Sequence, residues 1–411
     1  MAATATYGDL LKRYTPESLL ENEFYKMNYI FANCEKDKSW RGGTYEVPVL
    51  EAGFNSLQFG SLAAANDIGE MTVAMGTQTM KELWGSLLVR ESDLYRHGDM
   101  EQSYLKIMPE RIDEFVKWAS SIVSTGFLQG PMIAKATGDG AVGGTIAVDK
   151  ITPFRVGMKV SVDDDNSSEA TGYVTAINVN TNTLTIKDAR SSGSAVDLSG
   201  YTTAQNALVR VVGTGTEKFT SLPSYLLTTS EDALRGSTTA FGLTKASYTA
   251  LQALSASGSA FTAETILDDI LNTYYTFSDK RGDNFAEIWV GSGVYKNITK
   301  LLETGKRASI ADKKAGYGFN SVDIIGAEGQ SKIVCLKDMP KDLIFFGPGA
   351  KGVKFAGAEP FKRKMYNGEE FFTQRGTDGP SFISDMALRG DFLVKPAQWG
   401  VVYSVASSAY T

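Results

Sequence analysis

One stretch limits the fold more than any other. Pro109 to Gly126 is the single long amphipathic run in a chain otherwise made of short strand-like and loop-like segments. Ile112, Phe115, Val116, Ala119, Ile122 and Val123 recur at three- and four-residue spacing, so they share one helical face, and Glu110, Arg111, Asp113, Glu114 and Lys117 take the other. Pro109 suits a first helical position, where its missing N–H would have no partner, and Gly126 stands where a helix can leave through a left-handed residue. The pattern predicts a rod of about 17 residues, about 25 Å long at about 1.5 Å per residue.

What precedes the rod is ribbon-like. Residues 1–40 read as an arm, with a helix predicted from Glu17 to Phe31 behind Thr15 as cap and Pro16 at the first position. Leu19, Leu20, Phe24, Tyr25, Tyr29 and Phe31 give this arm an apolar side but no core of its own, so it is expected to lie on something else. Thr44 to Leu50 and Gly69 to Gly76 have strand character, with Met71, Val73 and Met75 alternating against Thr72 and Ala74. The connection from Glu51 to Ile68 is rich in Gly, Ala, Ser and Asn. A long hairpin results, and a lone two-stranded ribbon is only marginally stable in water. It packs either on its own domain or on another subunit, and in the second case Phe54, Leu57, Phe59 and Leu62 are its apolar contacts. The return strand runs on through Lys81 to Val89, and Asp93 to Met108 reads as a short helical approach to the rod.

Beyond Gly126 the texture changes. From Gly138 to Gly215 the chain is Thr, Val, Gly, Asn and Asp with few helix formers, and short strands around Val160, Val174, Leu184 and Leu208 predict a small antiparallel barrel or sandwich. Residues 216 to 346 alternate helices with strands: a helix from Glu264 to Phe277, a buried strand from Phe285 to Val290, a second helix led by Ser292 and Gly293, then three strands ending at Phe346. The last part is mostly β. The class is α+β, and the small β unit reads as an insertion because the α/β pattern resumes after it.

Chemistry is scarce. His97 is the only histidine, which excludes a multi-histidine metal site, and Cys34 and Cys335 are too few and too far apart for a disulfide framework or a zinc site. Gly347, Gly349 and Gly352 match the letter of a dinucleotide fingerprint, yet Val353, Lys354 and Phe355 read as a strand where a helix is needed. Asp163, Asp164, Asp165 and Asn166 lack the glycine and distant glutamate of a calcium loop. Asp268 and Asp269 are adjacent on a helix and point apart, and Glu369 and Glu370 have no evident partner. No catalytic, cofactor-binding or metal-ligating residue is assigned. In 411 residues, 43% hydrophobic content supports several real cores, no run is long and apolar enough to span a membrane, and a net charge of −6 argues against a surface dedicated to nucleic acid. In the small barrel Lys150, Arg155, Lys159, Lys187, Arg190 and Arg210 are matched in number by acids, which weakens an RNA-binding expectation.

The order of parts, together with Phe285-Ala286-Glu287-Ile288-Trp289-Val290 between two helices and Gly390-Asp391-Phe392-Leu393-Val394-Lys395-Pro396 near the end, resembles the major capsid proteins of tailed bacteriophages, the Hong Kong 97-type fold that encapsulins share. The resemblance implies an N-terminal arm over 1–40, an extended loop over 41–80, a peripheral domain with its spine helix over 81–137, an inserted β-rich domain over 138–215, an axial domain over 216–346 and a β-rich return over 347–411. It implies a homo-oligomer of pentamers and hexamers forming an icosahedral shell around double-stranded DNA, assembled in a bacterial host cytoplasm, with portal, scaffolding and decoration proteins as partners and no membrane. Phe24, Tyr29, Phe54, Leu57, Phe59 and Leu62 are the subunit-contact candidates. Two alternatives stand beside it: an encapsulin-like cargo compartment, and a β-rich protein binding surface glycans. The inserted domain is expected on the outer surface, so that removing Gly143 to Val212 leaves shells able to form.

Some members of that family cross-link a loop lysine covalently to a neighbour, whereas this chain has no lysine between Lys38 and Lys81. Assembled material is therefore expected to run as a single monomer-sized band on a denaturing gel; a ladder of covalent multimers would refute non-covalent assembly through this region.

Overall fold

The computed structural model describes residues 29–40, 42–52, 72–90, 100–130, 134–164, 169–190, 192–203, 207–211, 219–232, 235–258, 266–281, 285–306, 322–326, 329–364, 372–376 and 379–404. In chain order the elements are α1 (Tyr29–Asn33), β1 (Glu35–Asp37), β2 (Thr44–Ala52), β3 (Thr72–Thr79), β4 (Lys81–Arg90) and α2 (Met100–Gln129). Six strands follow: β5 (Ala134–Lys135), β6 (Thr145–Ala147), β7 (Lys159–Asp163), β8 (Glu169–Asn178), β9 (Thr183–Lys187) and β10 (Leu208–Val211). Then come α3 (Leu222–Leu226), the small hairpin β11 (Thr239–Ala240) and β12 (Leu243–Thr244), β13 (Leu254–Gly258), α4 (Ile266–Arg281), β14 (Glu287–Val290) and α5 (Ser292–Lys306). The chain ends through β15 (Val322–Gly326), β16 (Gly329–Cys335), β17 (Leu343–Gly347), β18 (Val353–Arg363), β19 (Phe372–Gly376), β20 (Gly379–Val394) and β21 (Gly400–Ser404).

The long helix differs from its sequence expectation at both ends. α2 runs 30 residues from Met100 and passes through Pro109, which stands in its third turn. A proline there forgoes one backbone hydrogen bond, so the helix depends on packing along its length. Gly126 lies inside the helix, and the left-handed exit falls at Gly130, whose φ is +86° and whose N–H donates to the Gly126 carbonyl at 3.1 Å. Of the apolar face expected from spacing, Val116, Ala119 and Val123 are buried in the main core with Phe115 packed against it, and Phe127 and Leu128 extend it, whereas Ile122 departs from it. Trp118 and Ile122 lean the other way, onto the core of the small β unit, and Trp118 Nε1 donates to the Pro153 carbonyl at 2.7 Å. One helix therefore supports two cores.

The main core lies between α2 and a sheet in which β20 is central. β4 runs antiparallel along one edge of β20, β18 and β19 share its other edge, and β1 adds to β18 in parallel. Phe31, Phe127, Phe355 and Phe392 fill the space: Phe127 and Phe392 stand 4.3 Å apart by ring centroid, and Phe31 is 5.2 Å from Phe355. Gly85 of β4 lets the Phe115 ring approach closely, since a Cβ there would sit 2.3 Å from Phe115 Cζ. The end of the arm thus has a core after all. Ile30 and Phe31 are fully buried within the chain and Trp40 nearly so, and β1 is hydrogen-bonded to β18.

The second large sheet, in the order β13-β21-β17-β14-β16-β15, mixes parallel and antiparallel pairs. Both of its faces are covered, which explains the unbroken apolar run of β17. Successive side chains alternate between two cores: Trp289, Leu343, Phe345 and Val401 face the main core, while Ile288, Val290, Ile344, Phe346 and Val402 face α4 and α5. β21 inserts between β13 and β17, so the last described segment returns to this layer. Gly347 and Gly349 serve packing here. Gly347 lies against the Trp399 ring and Gly349 against the Glu287 carboxylate, and the chain then enters β18 as the sequence implied.

The small β unit is one antiparallel sheet in the order β5-β10-β7-β8-β9-β6. Its outer strands meet: Thr137 N donates to the Ala147 carbonyl and Asp149 N to the Lys135 carbonyl, both at 2.9 Å, around a bridge between Ala136 and Val148. The ring of strands is closed, which leaves no free edge. Val160, Val162, Val174, Leu184, Ile186 and Val209 fill it. The first strand of the sheet starts at Ala134, and its first two strands are short pieces with no alternation to betray them. Excising Gly143 to Val212 would leave β5 without its partner and uncover Trp118 and Ile122. The turn between β8 and β9 is built by Asn178, whose Oδ1 accepts from the N–H groups of Asn180 and Thr181, with Asn182 at φ +50°.

The ribbon of β2 and β3 touches the main core at its base, where Gly76 meets Phe241: a Cβ at Gly76 would lie 2.7 Å from Phe241 Cβ. Gly76→Val is expected to destabilise the folded chain by roughly 1–3 kcal/mol through overpacking, read from urea unfolding; a change within about 0.5 kcal/mol would show that this contact does not seat the ribbon.

Candidate functional site

The ribbon has two unlike faces. Its register sets Pro48 opposite Met75 and Leu50 opposite Val73. These four share the face turned away from the chain, where Leu50, Val73 and Met75 are 45%, 44% and 54% exposed and Pro48 is exposed as well. The other face carries Tyr45, Val47, Val49 and Gln78 onto the body. Period-two alternation therefore produces an inner face that is paired and an outer face that is exposed, polar at the Glu46 and Thr77 pair and apolar from Pro48 and Met75 to Leu50 and Val73. β4, which follows the ribbon directly, adds two large apolar side chains, Trp84 (47% exposed) and Leu88 (48%), on the face opposite Phe115. Trp84 Nε1 donates to Glu82 at 2.8 Å, and the Arg389 guanidinium lies 5.4 Å from the Trp84 ring centroid. Among the described residues no strand pairs with the outer edge of β4.

The root of the ribbon is a buried polar node. Asp391 is fully buried in β20 and accepts four hydrogen bonds. Thr220 N (2.7 Å) and Phe392 N (2.8 Å) donate to Oδ1, and Thr220 Oγ1 (2.7 Å) and Gln78 Nε2 (2.5 Å) donate to Oδ2. Gln78 Nε2 also reaches Thr220 Oγ1 at 2.7 Å. Burial pushes the Asp391 carboxyl up to about 6, while the donors from Thr220, Phe392 and Gln78 pull it back. Two backbone bonds reinforce the root: Thr77 N donates to the Phe241 carbonyl at 2.8 Å and Met80 N to the Gly43 carbonyl at 3.0 Å. Beside it, Tyr45 OH donates to Asp37 at 3.0 Å, and Asp37 is paired with Lys354 at 2.7 Å. The Lys354 ammonium holds the Asp37 carboxyl well below the usual carboxylate range.

Of the six contact residues expected from sequence, only Tyr29 is described. It lies half-buried and donates to Glu287 Oε1 at 2.8 Å, and Glu287 Oε2 accepts from Trp289 Nε1 at 2.7 Å, so Tyr29 fixes the end of the arm on the second sheet of its own chain. Burial raises its phenol far above the ordinary tyrosine value. Phe24, Phe54, Leu57, Phe59 and Leu62 lie outside the described residues, as do His97, Asp165, Asn166, Glu369 and Glu370. Sequence reasoning passed over Leu50 and Asp391. The signal for Leu50 was the Val47-Val49 alternation, which puts Leu50 on the opposite face, and the signal for Asp391 was a lone acid leading an apolar strand run. Among the described residues no group of three His, Cys, Asp or Glu is placed to hold a metal, and no helix is long and apolar enough to cross a membrane.

If Asp391 governs the root, stability follows a defined pH course. Its carboxyl stays protonated in the folded chain up to about pH 6, against about 3.9 when unfolded, so its contribution is greatest below about pH 4 and is lost as pH rises through 6. Relative to Asp391→Asn, the native chain should lose on the order of 2–3 kcal/mol between pH 4 and pH 7 in urea unfolding. Parallel pH profiles for the two proteins would overturn the assignment.

No family model matches the sequence, and no curated protein matches it. Similar solved structures are the capsid of a native GTA particle computed with C5 symmetry (11% identity over 94% of this chain and 91% of that one, TM-score 0.46) and the capsid asymmetric unit of cyanophage A-1(L) (10% identity, 90% of each chain, TM-score 0.46). A virus-like particle from Pyrococcus furiosus is similar at 10% identity over 94% of this chain and 96% of that one, with a TM-score of 0.39.

Proposed function

We propose that this chain is a structural subunit, a major capsid protein of the Hong Kong 97 type, whose copies assemble into an icosahedral shell around double-stranded DNA. The observation that carries the proposal is the ribbon: Pro48, Leu50, Val73 and Met75 form an uncovered apolar face on a two-stranded element whose other face is bound to its own body. A ribbon of this kind gains most when a second copy covers it, and rotational repetition of one such heterologous contact closes rings of five or six subunits. In this proposal residues 41–80 are the extended loop, α2 is the spine helix of a peripheral domain built on the β20 sheet, the sheet containing β14 with α4 and α5 is the axial domain, and the closed sheet from Ala134 to Val211 is an insertion. The mild net acidity of the chain suits a container that must release its polyanion. Scaffolding, portal and decoration proteins would be its partners in a virion.

Expression of the chain alone, followed by sedimentation and negative-stain microscopy, tests the assembly. Closed particles, or rings of five or six subunits, are expected. The triple variant Leu50→Ser, Val73→Ser, Met75→Ser should sediment as a folded monomer, and a stable monomer for the unaltered chain in the presence of its candidate scaffold would contradict the proposal. Nuclease-protected double-stranded DNA in particles from infected cells separates a genome container from a cargo compartment.

A further inference from the structure

The closed sheet carries a cluster that neither its core nor its seat on α2 uses. Tyr173 is the one residue of β8 with a register partner on both sides, Lys159 on β7 and Lys187 on β9. The neighbours Val160, Val174 and Ile186 fill the core, so Lys159, Tyr173 and Lys187 form an outward row across three strands, about 10 Å from end to end at about 4.8 Å per strand. Arg190 follows β9 and brings its guanidinium to 5.3 Å from the Tyr173 ring centroid, and Lys159 Nζ lies at 5.9 Å. Among the described residues none of these three cations forms an ion pair. Arg210, by contrast, is held by Asp163 at 2.9 Å and Glu169 at 3.6 Å. Asp163 and Glu169 are taken up by Arg210, and Asp188 is the one acid beside the cluster, exposed between Lys187 and Arg190, so three cations with no ion pair among the described residues face one acid around a half-buried aromatic ring. Thr171, two residues before Tyr173 on the same face of β8, adds a hydroxyl group.

We propose that this face is a contact site for an acidic polysaccharide, with the apolar side of a sugar ring on Tyr173 and the polymer's carboxylates or sulfates against Lys159, Lys187 and Arg190. Charge complementarity selects an anionic partner. A single ring flanked by cations suits one sugar face with carboxylates beside it, whereas a single-stranded nucleic acid gains its affinity by stacking successive bases on several aromatic side chains. The site lies on the closed sheet and is independent of whether the chain builds a shell; assembly would add avidity by repeating it.

Binding of the full chain to immobilised alginate tests the site, with neutral dextran and single-stranded DNA as comparisons at the same ionic strength. Binding to alginate, none to dextran, and at least about tenfold weaker binding to DNA are expected. The triple variant Lys159→Gln, Lys187→Gln, Arg190→Gln and, separately, Tyr173→Ala should each weaken alginate binding about tenfold or more, equivalent to about 1.4 kcal/mol, with the thermal unfolding transition unchanged. Arg190→Gln alone, at an exposed turn, provides a variant that leaves the sheet intact. Absence of alginate binding, equal binding by the variants, or DNA binding as tight as alginate binding would overturn the proposal. A monomeric chain that still binds alginate would refute the shell proposal and leave this one standing.

Discussion

A single buried carboxylate holds together parts of the chain that are far apart in sequence. Asp391 receives Gln78 from the ribbon, Thr220 from the segment entering α3 and the Phe392 amide of its own strand, with no cation nearby to neutralise it in the contacts it makes. An isolated ion in such a place would be very costly, and four donors make it tolerable. The consequence is mechanical. A two-stranded ribbon that would otherwise fray is fixed at its base, while its outer face stays free. The same logic governs the Tyr29, Glu287 and Trp289 group, which ties the end of the arm to the second sheet.

From that root the division of surfaces follows. α2 and the two main sheets spend their apolar side chains on three internal cores, and α2 shares its faces between the body and the closed sheet. Among the described residues five of the nine large apolar side chains left exposed lie on consecutive segments, the ribbon and β4, while Val142, Val156 and Val179 of the closed sheet and Tyr275 of α4 stand singly. Scattered exposed apolar residues are ordinary, but four in paired register on a ribbon, followed by Trp84 and Leu88 on the next strand, form a surface that favours cover by another chain.

Much of this was legible in the sequence, and the parts that were not have physical reasons. Most of the apolar face of α2 followed from spacing alone, but its ends did not. Pro109 and Gly126 are strong local punctuation that tertiary packing overrode, and the operative exit is Gly130. The strands of the second sheet were readable because burial on both faces leaves continuous apolar runs such as Leu343 to Phe346. β5 and β6 were missed because closing a ring needs only a few backbone hydrogen bonds and no distinctive side chains. The alternation of Val73 and Met75 was visible, yet alternation cannot say which face is the inner one; that is decided by Gln78, Gly76 and Val49, whose partners lie more than 100 residues away in Asp391 and Phe241. Four of the contact candidates chosen from sequence, Phe54, Leu57, Phe59 and Leu62, belong to the connection and Phe24 to the arm, outside the described residues, and the described apolar face lies on the strands.

The central claim is that the outer face of the ribbon is covered by a different copy of the chain. The most direct measurement places a photo-reactive amino acid at Met75, assembles particles from a mixture of light- and heavy-isotope protein, irradiates them and maps the products by mass spectrometry. The account predicts cross-linked peptides that combine light and heavy chains, with the label at residue 75 joined to one recurring segment of the neighbour. Cross-links confined to a single isotope, joining residue 75 to its own chain, would contradict it.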